Sequence, residues 1–162
     1  MSYVNNTQVS GRFAFGLAGI GLAFGAAVHL AAYAAGPAWM AWLGAPPVVL
    51  ASRAAGTWLA PVGTMLIAGL LLGLAALCRV PAQGRLHRAA LAGIAGLFVL
   101  RGLLVLPYWA GLRDLRTPIG RFVILGDSFA AGSLLVLAIG LLLAGGLVAT
   151  RRQPLTSSRA DP

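Results

Sequence analysis

The chain has 162 residues, of which 59% are hydrophobic and 9% charged, where a water-soluble domain carries about 25% charged residues. So few charges exclude a water-facing surface over most of the molecule and predict one that faces lipid. The charge comes from twelve Arg and three Asp, with no Lys and no Glu, and nearly all the Arg fall in short gaps between apolar runs. That spread excludes the clustered basic face of a nucleic-acid binder and fits residues that orient membrane segments.

A helix needs about 20 apolar residues to cross the hydrocarbon core. Four stretches qualify, at about residues 13–34, 57–78, 89–110 and 122–149. The expected fold class is therefore all-α, a four-helix transmembrane bundle in one domain over residues 1–150. The polar end, residues 151–162, is expected to be a disordered cytoplasmic tail. In the first segment, Ala32-Tyr33-Ala34 has the look of a leader-peptide cleavage site. The apolar run before it exceeds the usual length of about 7–15 residues, so the segment is expected to stay as a helix.

The first loop, Gly36 to Gly56, is apolar and carries Pro37, Pro46 and Pro47. It is expected to fold back onto the membrane as a short interfacial helix or cap. Gly16, Gly19, Gly21 and Gly25 in the first helix, and Gly69 with Gly73 in the second, stand three or four apart and predict close helix packing within the chain, with a dimer face as the alternative. Pro61 and Pro107 could bend helices two and three. The lone Cys78 excludes an internal disulfide or Cys-x-x-Cys pair, and with it the redox chemistry of vitamin-K-reductase-like four-helix enzymes.

Arg counts set the orientation. Seven Arg flank the termini and second loop (Arg12, Arg79, Arg85, Arg88, Arg151, Arg152, Arg159), against four on the other side (Arg53, Arg113, Arg116, Arg121). Both termini are expected in the cytoplasm of a bacterial-type plasma (inner) membrane. Trp39, Trp42, Trp58, Trp109, Tyr33 and Tyr108 all fall at the opposite side, as an aromatic belt or the rim of a binding site.

Ionisable groups inside a span are costly, about 2.5–3.5 kcal/mol each at a helix centre, and mark candidate sites. The three candidates are His29, Arg101 and Asp127, all in the outer half of the bilayer by residue count, with Thr64 and Tyr108 as polar neighbours. Two readings stand side by side. In one, Arg101 and Asp127 form a buried ion pair between helices three and four, with His29 hydrogen-bonded nearby. In the other, these five residues line an outward-opening pocket for a lipid headgroup, a quinone or a small amphiphile. No second carboxylate or nucleophile accompanies the His, so no catalytic residue is assigned. His29 and His87 lie at different depths, so no shared haem or metal and no cofactor is expected. His87 is expected to be a solvated loop residue.

His29-x-x-x-Tyr33 followed by Gly36-Pro37-x-Trp39 and Pro46, then Arg101-Gly102, Thr117, Phe122 and Asp127, resembles a bacterial four-helix membrane family known only as a domain of unknown function, DUF3995. The likeness would cover about residues 20–148 and implies a four-helix membrane fold, with no family activity to carry over. The family has Tyr-Ser-Pro after the helix-four Asp, where this chain has Ser128-Phe129-Ala130-Ala131.

The expected function is that of a small non-enzymatic membrane protein, an accessory subunit or a binder of a lipid-like amphiphile. The alternative is a small membrane enzyme acting on an amphiphilic substrate, isomerase-like or lipid-modifying. A transporter protomer is disfavoured, because four helices enclose little room. Expected partners are membrane lipids, an amphiphile or quinone, and a homo-oligomer or larger membrane complex, but no nucleic acid.

Overall fold

A computed structural model describes residues 3–80, 84–112, 114–117, 120–123 and 128–151. Four helices are long and apolar enough to cross a membrane, over Val9–Ala35, Leu59–Leu77, Arg85–Trp109 and Phe129–Thr150. The protein is thus the all-α, multi-pass bundle that its apolar runs predict. The first span belongs to α1 (Tyr3–Ala35) and the second to α4 (Leu59–Leu77). The third is α5 (Arg85–Leu103) continued by α6 (Val105–Trp109), and the fourth is α7 (Phe129–Arg151). The tail after Arg151 lies outside the described residues.

The break between α5 and α6 has a local cause. Pro107 has no N–H for the Leu103 carbonyl and crowds it, so the helix is interrupted at Leu104. Pro61 does not interrupt α4, because it stands in the first turn, where N–H groups have no intrahelical partner anyway.

The expected cap is present as two short helices, α2 (Pro37–Trp42) and α3 (Pro47–Ala54). Each starts on a Pro, whose fixed φ suits the first helical position. Gly36 (φ 107°) ends α1 and Gly56 (φ 67°) follows α3, both in a region that L side chains rarely enter. The cap sits on the bundle through buried Ala32, Met40 and Ala60, with Leu43, Val49 and Leu50 packed around them. Polar groups fasten it. The buried Ser52 hydroxyl accepts from Ala60 N–H at 3.0 Å, serving the first turn of α4, whose own cap residue Trp58 makes no such bond. Arg53 donates to the Tyr33 carbonyl (3.2 Å) near the C-terminus of α1, and its guanidinium lies 4.6 Å over the Tyr33 ring.

In the bundle, α1 packs on α4 and α7, and α5 packs on α7; among the described residues α4 and α5 make no comparable contact. The main core, which includes Phe15, Leu22, Leu91, Ile139 and Leu143, joins all four spans. Glycines set the closest approaches. A Cβ on Gly102 would stand 2.5 Å from Leu137 Cβ, and one on Gly140 would stand 2.9 Å from Val99 N, so α5 and α7 pack almost backbone to backbone. Gly19, Gly21 and Gly25 also face neighbours. Gly16, Gly69 and Gly73 have nothing within 4 Å, so the expected packing of the Gly69–Gly73 pair within the chain is not made.

Two further corrections concern the loops. The fourth helix starts at Phe129, not Phe122, because part of the apolar run before it is extended. Asp114–Thr117 and Gly120–Val123 pair as a small antiparallel ribbon, with Leu115 opposite Phe122. His87 lies in the first turn of α5, half-buried, with Nε2 shielded and unpartnered among the described residues, not in a solvated loop. Its neighbour Arg88 donates to the Leu147 carbonyl (2.9 Å), which also accepts from the Thr150 hydroxyl, and to that hydroxyl itself (3.2 Å), placing a cation near the C-terminus of α7.

Candidate functional site

Beneath the cap lies a cavity of about 970 Å³. Sites for small molecules span about 300–1,000 Å³, which places this one at the large end. Its roof is formed by α2 and the turn after it, including Trp39, Trp42 and Pro46. α1 forms one wall from Ala35 down to Gly21, and α7 forms another from Phe129 to Ile139. That run of α1 is roughly fourteen residues, hence about 21 Å at 1.5 Å per residue. One leaflet's share of the hydrocarbon core is about 15 Å, so the cavity is as deep as a leaflet. α4 contributes Leu71, while α5 contributes Phe98 and Arg101. The cavity is thus bordered by two helices that make no extensive contact with each other among the described residues.

Polarity is confined to the cap end, where His29, Arg101 and Ser128 line the space. The rest of the lining includes Leu22, Phe24, Phe98, Leu135 and Ile139, and Gly25 and Gly132 leave room along the walls. His29 lies about 9 Å in from Ala35, and Arg101 about 12 Å in from Trp109, so the two share a level.

Each polar group is held by its own helix or a neighbour. His29 Nδ1–H donates to the Gly25 carbonyl, one turn back, at 2.8 Å. Arg101 Nη1 donates to Ser133 Oγ at 2.9 Å, and Ser133 is wholly buried. The Arg101 guanidinium also lies 4.6 Å from the Phe129 ring centroid. Tyr108 packs on the same Phe129 ring at 5.3 Å. At the mouth, Ser128 sends both its hydroxyl (2.7 Å) and its N–H (3.3 Å) to the Trp42 carbonyl, which tethers the cap to the start of α7.

The site residues expected from sequence therefore divide. His29 and Arg101 meet in one cavity. Tyr108 braces the wall through Phe129. Thr64 does not reach the space, because its buried hydroxyl turns back to the Ala60 carbonyl of its own helix at 2.9 Å. Asp127 lies outside the described residues, and so does its expected pairing with Arg101. The aromatic residues divide as well. Trp39 and Trp42 stack edge to face at 6.0 Å and line the cavity. Trp58 and Trp109, 71% and 61% exposed, suit an interfacial belt. Ser128, Ser133 and Phe129 were not anticipated, since lone Ser and Phe residues in an apolar run carry no signal until the fold sets them beside Arg101 and Trp42.

Comparison with known proteins finds no matching family model, curated protein or solved structure. The reading of the site therefore rests on its geometry. Among the described residues no group of three or more His, Cys, Asp or Glu could hold a metal.

Proposed function

We propose that this membrane protein binds a single lipid-like amphiphile, with its polar head at His29 and Arg101 and its chain running down the apolar part of the cavity. The observation that carries the reading is the cavity itself: polar at one end, apolar over the rest, and as deep as one leaflet. The lack of close packing between α4 and α5 would give the chain a way sideways into lipid, and the Trp42–Ser128 tether holds a roof over the head. Such an amphiphile would come from the membrane, so the protein would act as a lipid-binding accessory subunit or carrier. The likeness to the DUF3995 family stands as a proposal on its short motifs.

Gly132 offers the test. It lines the cavity, and a Cβ there meets nothing within 4 Å. Gly132→Leu should project its side chain into the space from a Cβ that meets no neighbour, and should gain up to about 1 kcal/mol of helix propensity. In native mass spectrometry from mild detergent, wild-type protein is expected to carry bound amphiphile and Gly132→Leu to lose most of it at equal or higher thermal stability. Unchanged retention in a folded Gly132→Leu protein would exclude the cavity as the site.

We further propose a bacterial-type inner membrane with both termini cytoplasmic, which puts the cavity in the outer leaflet. Single cysteines at two exposed positions, Ala55→Cys and Gly84→Cys, in a Cys78→Ala background test this. An impermeant maleimide added to intact spheroplasts should label position 55 and spare position 84. The opposite pattern would invert the assignment.

A further inference from the structure

His29 narrows the chemistry of the head, on the reading that the cavity holds an amphiphile. Its Nδ1 faces the Gly25 carbonyl at 2.8 Å, and a carbonyl oxygen can only accept. In a neutral imidazole that bond puts the ring proton on Nδ1 and leaves the lone pair on Nε2. Arg101 is the complement, since a guanidinium carries five N–H donors and no acceptor. One of these donors serves Ser133, and among the described residues no other hydrogen-bond acceptor meets the guanidinium. The polar end of the cavity thus presents an acceptor on α1 and a donor on α5.

We infer that the cavity selects an amphiphile whose head bears a hydroxyl group. A head that carries a hydroxyl suits both poles: an O–H donates to His29 Nε2, and an oxygen of the same head accepts from Arg101. A head with only carbonyl or ether oxygens satisfies Arg101 but sets lone pair against lone pair at His29. A buried acceptor left without a partner weakens such a complex. A quaternary ammonium head satisfies neither pole. The requirement also separates two redox states of one molecule, because a quinol carries the O–H that a quinone lacks. The hydroxyl could come from two sources, the glycerol of a lipid or the phenol of a quinol.

The test uses the purified full-length chain in mild detergent, titrated with matched probes and read by native mass spectrometry. One pair is dioleoylglycerol and its 3-O-methyl ether, which differ only in the O–H. The other is a short-chain ubiquinol and the matching ubiquinone. Each hydroxyl probe should be retained about tenfold better than its partner, equivalent to about 1.4 kcal/mol. His29→Phe should bring both ratios to about one. Dioleoylglycerol outlasting the quinol would point to a lipid headgroup, and the reverse to a quinol; either outcome supports the hydroxyl rule. Equal retention of the paired probes by wild-type protein would overturn the rule, and this comparison needs no variant to fold. So would a preference that survives in His29→Phe. If the paired probes bind equally and Gly132→Leu displaces both, the cavity still binds amphiphiles and only the selectivity fails. If Gly132→Leu displaces none of them, the cavity reading fails along with it.

Discussion

Gly102→Ala should cost this protein about 2 kcal/mol, although the same exchange in an exposed helix is stabilising. The added Cβ would stand 2.5 Å from Leu137 Cβ, 2.7 Å from its Cα and 2.8 Å from its N. Two of those atoms are backbone and cannot rotate away, so α5 must move off α7. Moving it also disturbs the reciprocal approach of Gly140 to Val99, one turn further along α7. Overpacking of this kind costs about 1–3 kcal/mol, and contact with backbone argues for the upper end. Helix propensity returns up to about 1 kcal/mol. Gly69→Ala and Gly73→Ala are the controls, because a Cβ at either meets nothing within 4 Å. Both should be neutral or stabilising by up to about 1 kcal/mol. Equilibrium unfolding in mixed micelles would rank the three. If Gly102→Ala behaved like its controls, α5 and α7 could not approach as closely as described.

These glycines also mark where sequence stopped being informative. Gly69-x-x-x-Gly73 has the spacing of a packing motif but faces open space, whereas Gly102 and Gly140 belong to no such pair and make the tightest approaches to backbone atoms. Spacing says which glycines share a face; only the fold decides which face meets a neighbour. The four spans were legible because length and apolarity alone define them. The cap was legible because Pro37, Pro46 and Pro47 interrupt an apolar loop that cannot cross the membrane again. The start of the fourth helix was not. Phe122 and Val123 read as membrane-embedded, but a short apolar run suits a strand as well as a helix, and here they belong to the ribbon. At the site, residue count placed His29 and Arg101 at one level, and the cavity contains both. Thr64 is absent from the lining because residue count gives depth but not helix azimuth, and its hydroxyl turns back to its own helix.

The cavity also explains why three tethers hold the cap. Arg53 ties it to α1, Ser52 ties it to α4, and the Trp42 carbonyl ties it to Ser128 at the start of α7. Each bond ends on a different helix, so the roof is fixed relative to both walls.

Arg101→Met should produce the largest combined loss of stability and binding. Its guanidinium is the only donor to Ser133 from another helix among the described residues, and Ser133 is wholly buried. Bonds to charged groups contribute about 1.5–3 kcal/mol, and the cation over Phe129 adds about 0.5–2 kcal/mol where water is excluded. The stranded Ser133 hydroxyl can turn back to the carbonyl four residues earlier, which recovers part of that. Met also avoids the cost of keeping a charge in the membrane. A net loss of about 2–3 kcal/mol is expected, against about 1 kcal/mol for Ser133→Ala, which removes one acceptor and leaves the cation stacked. Arg101→Lys should resemble Met more than wild type, because an ammonium keeps the charge but loses the planar fork that serves Ser133 and Phe129 together. A double-mutant cycle with Asp127→Asn addresses the pairing expected from sequence. If Arg101 and Asp127 are partners, the double variant should be more stable than at least one of the singles, since removing one member strands the other. Simple additivity would leave Ser133 and Phe129 as the groups that hold Arg101 at the cavity wall. Loss of bound amphiphile in Arg101→Met without loss of stability would instead assign the guanidinium to the ligand and not to the bundle.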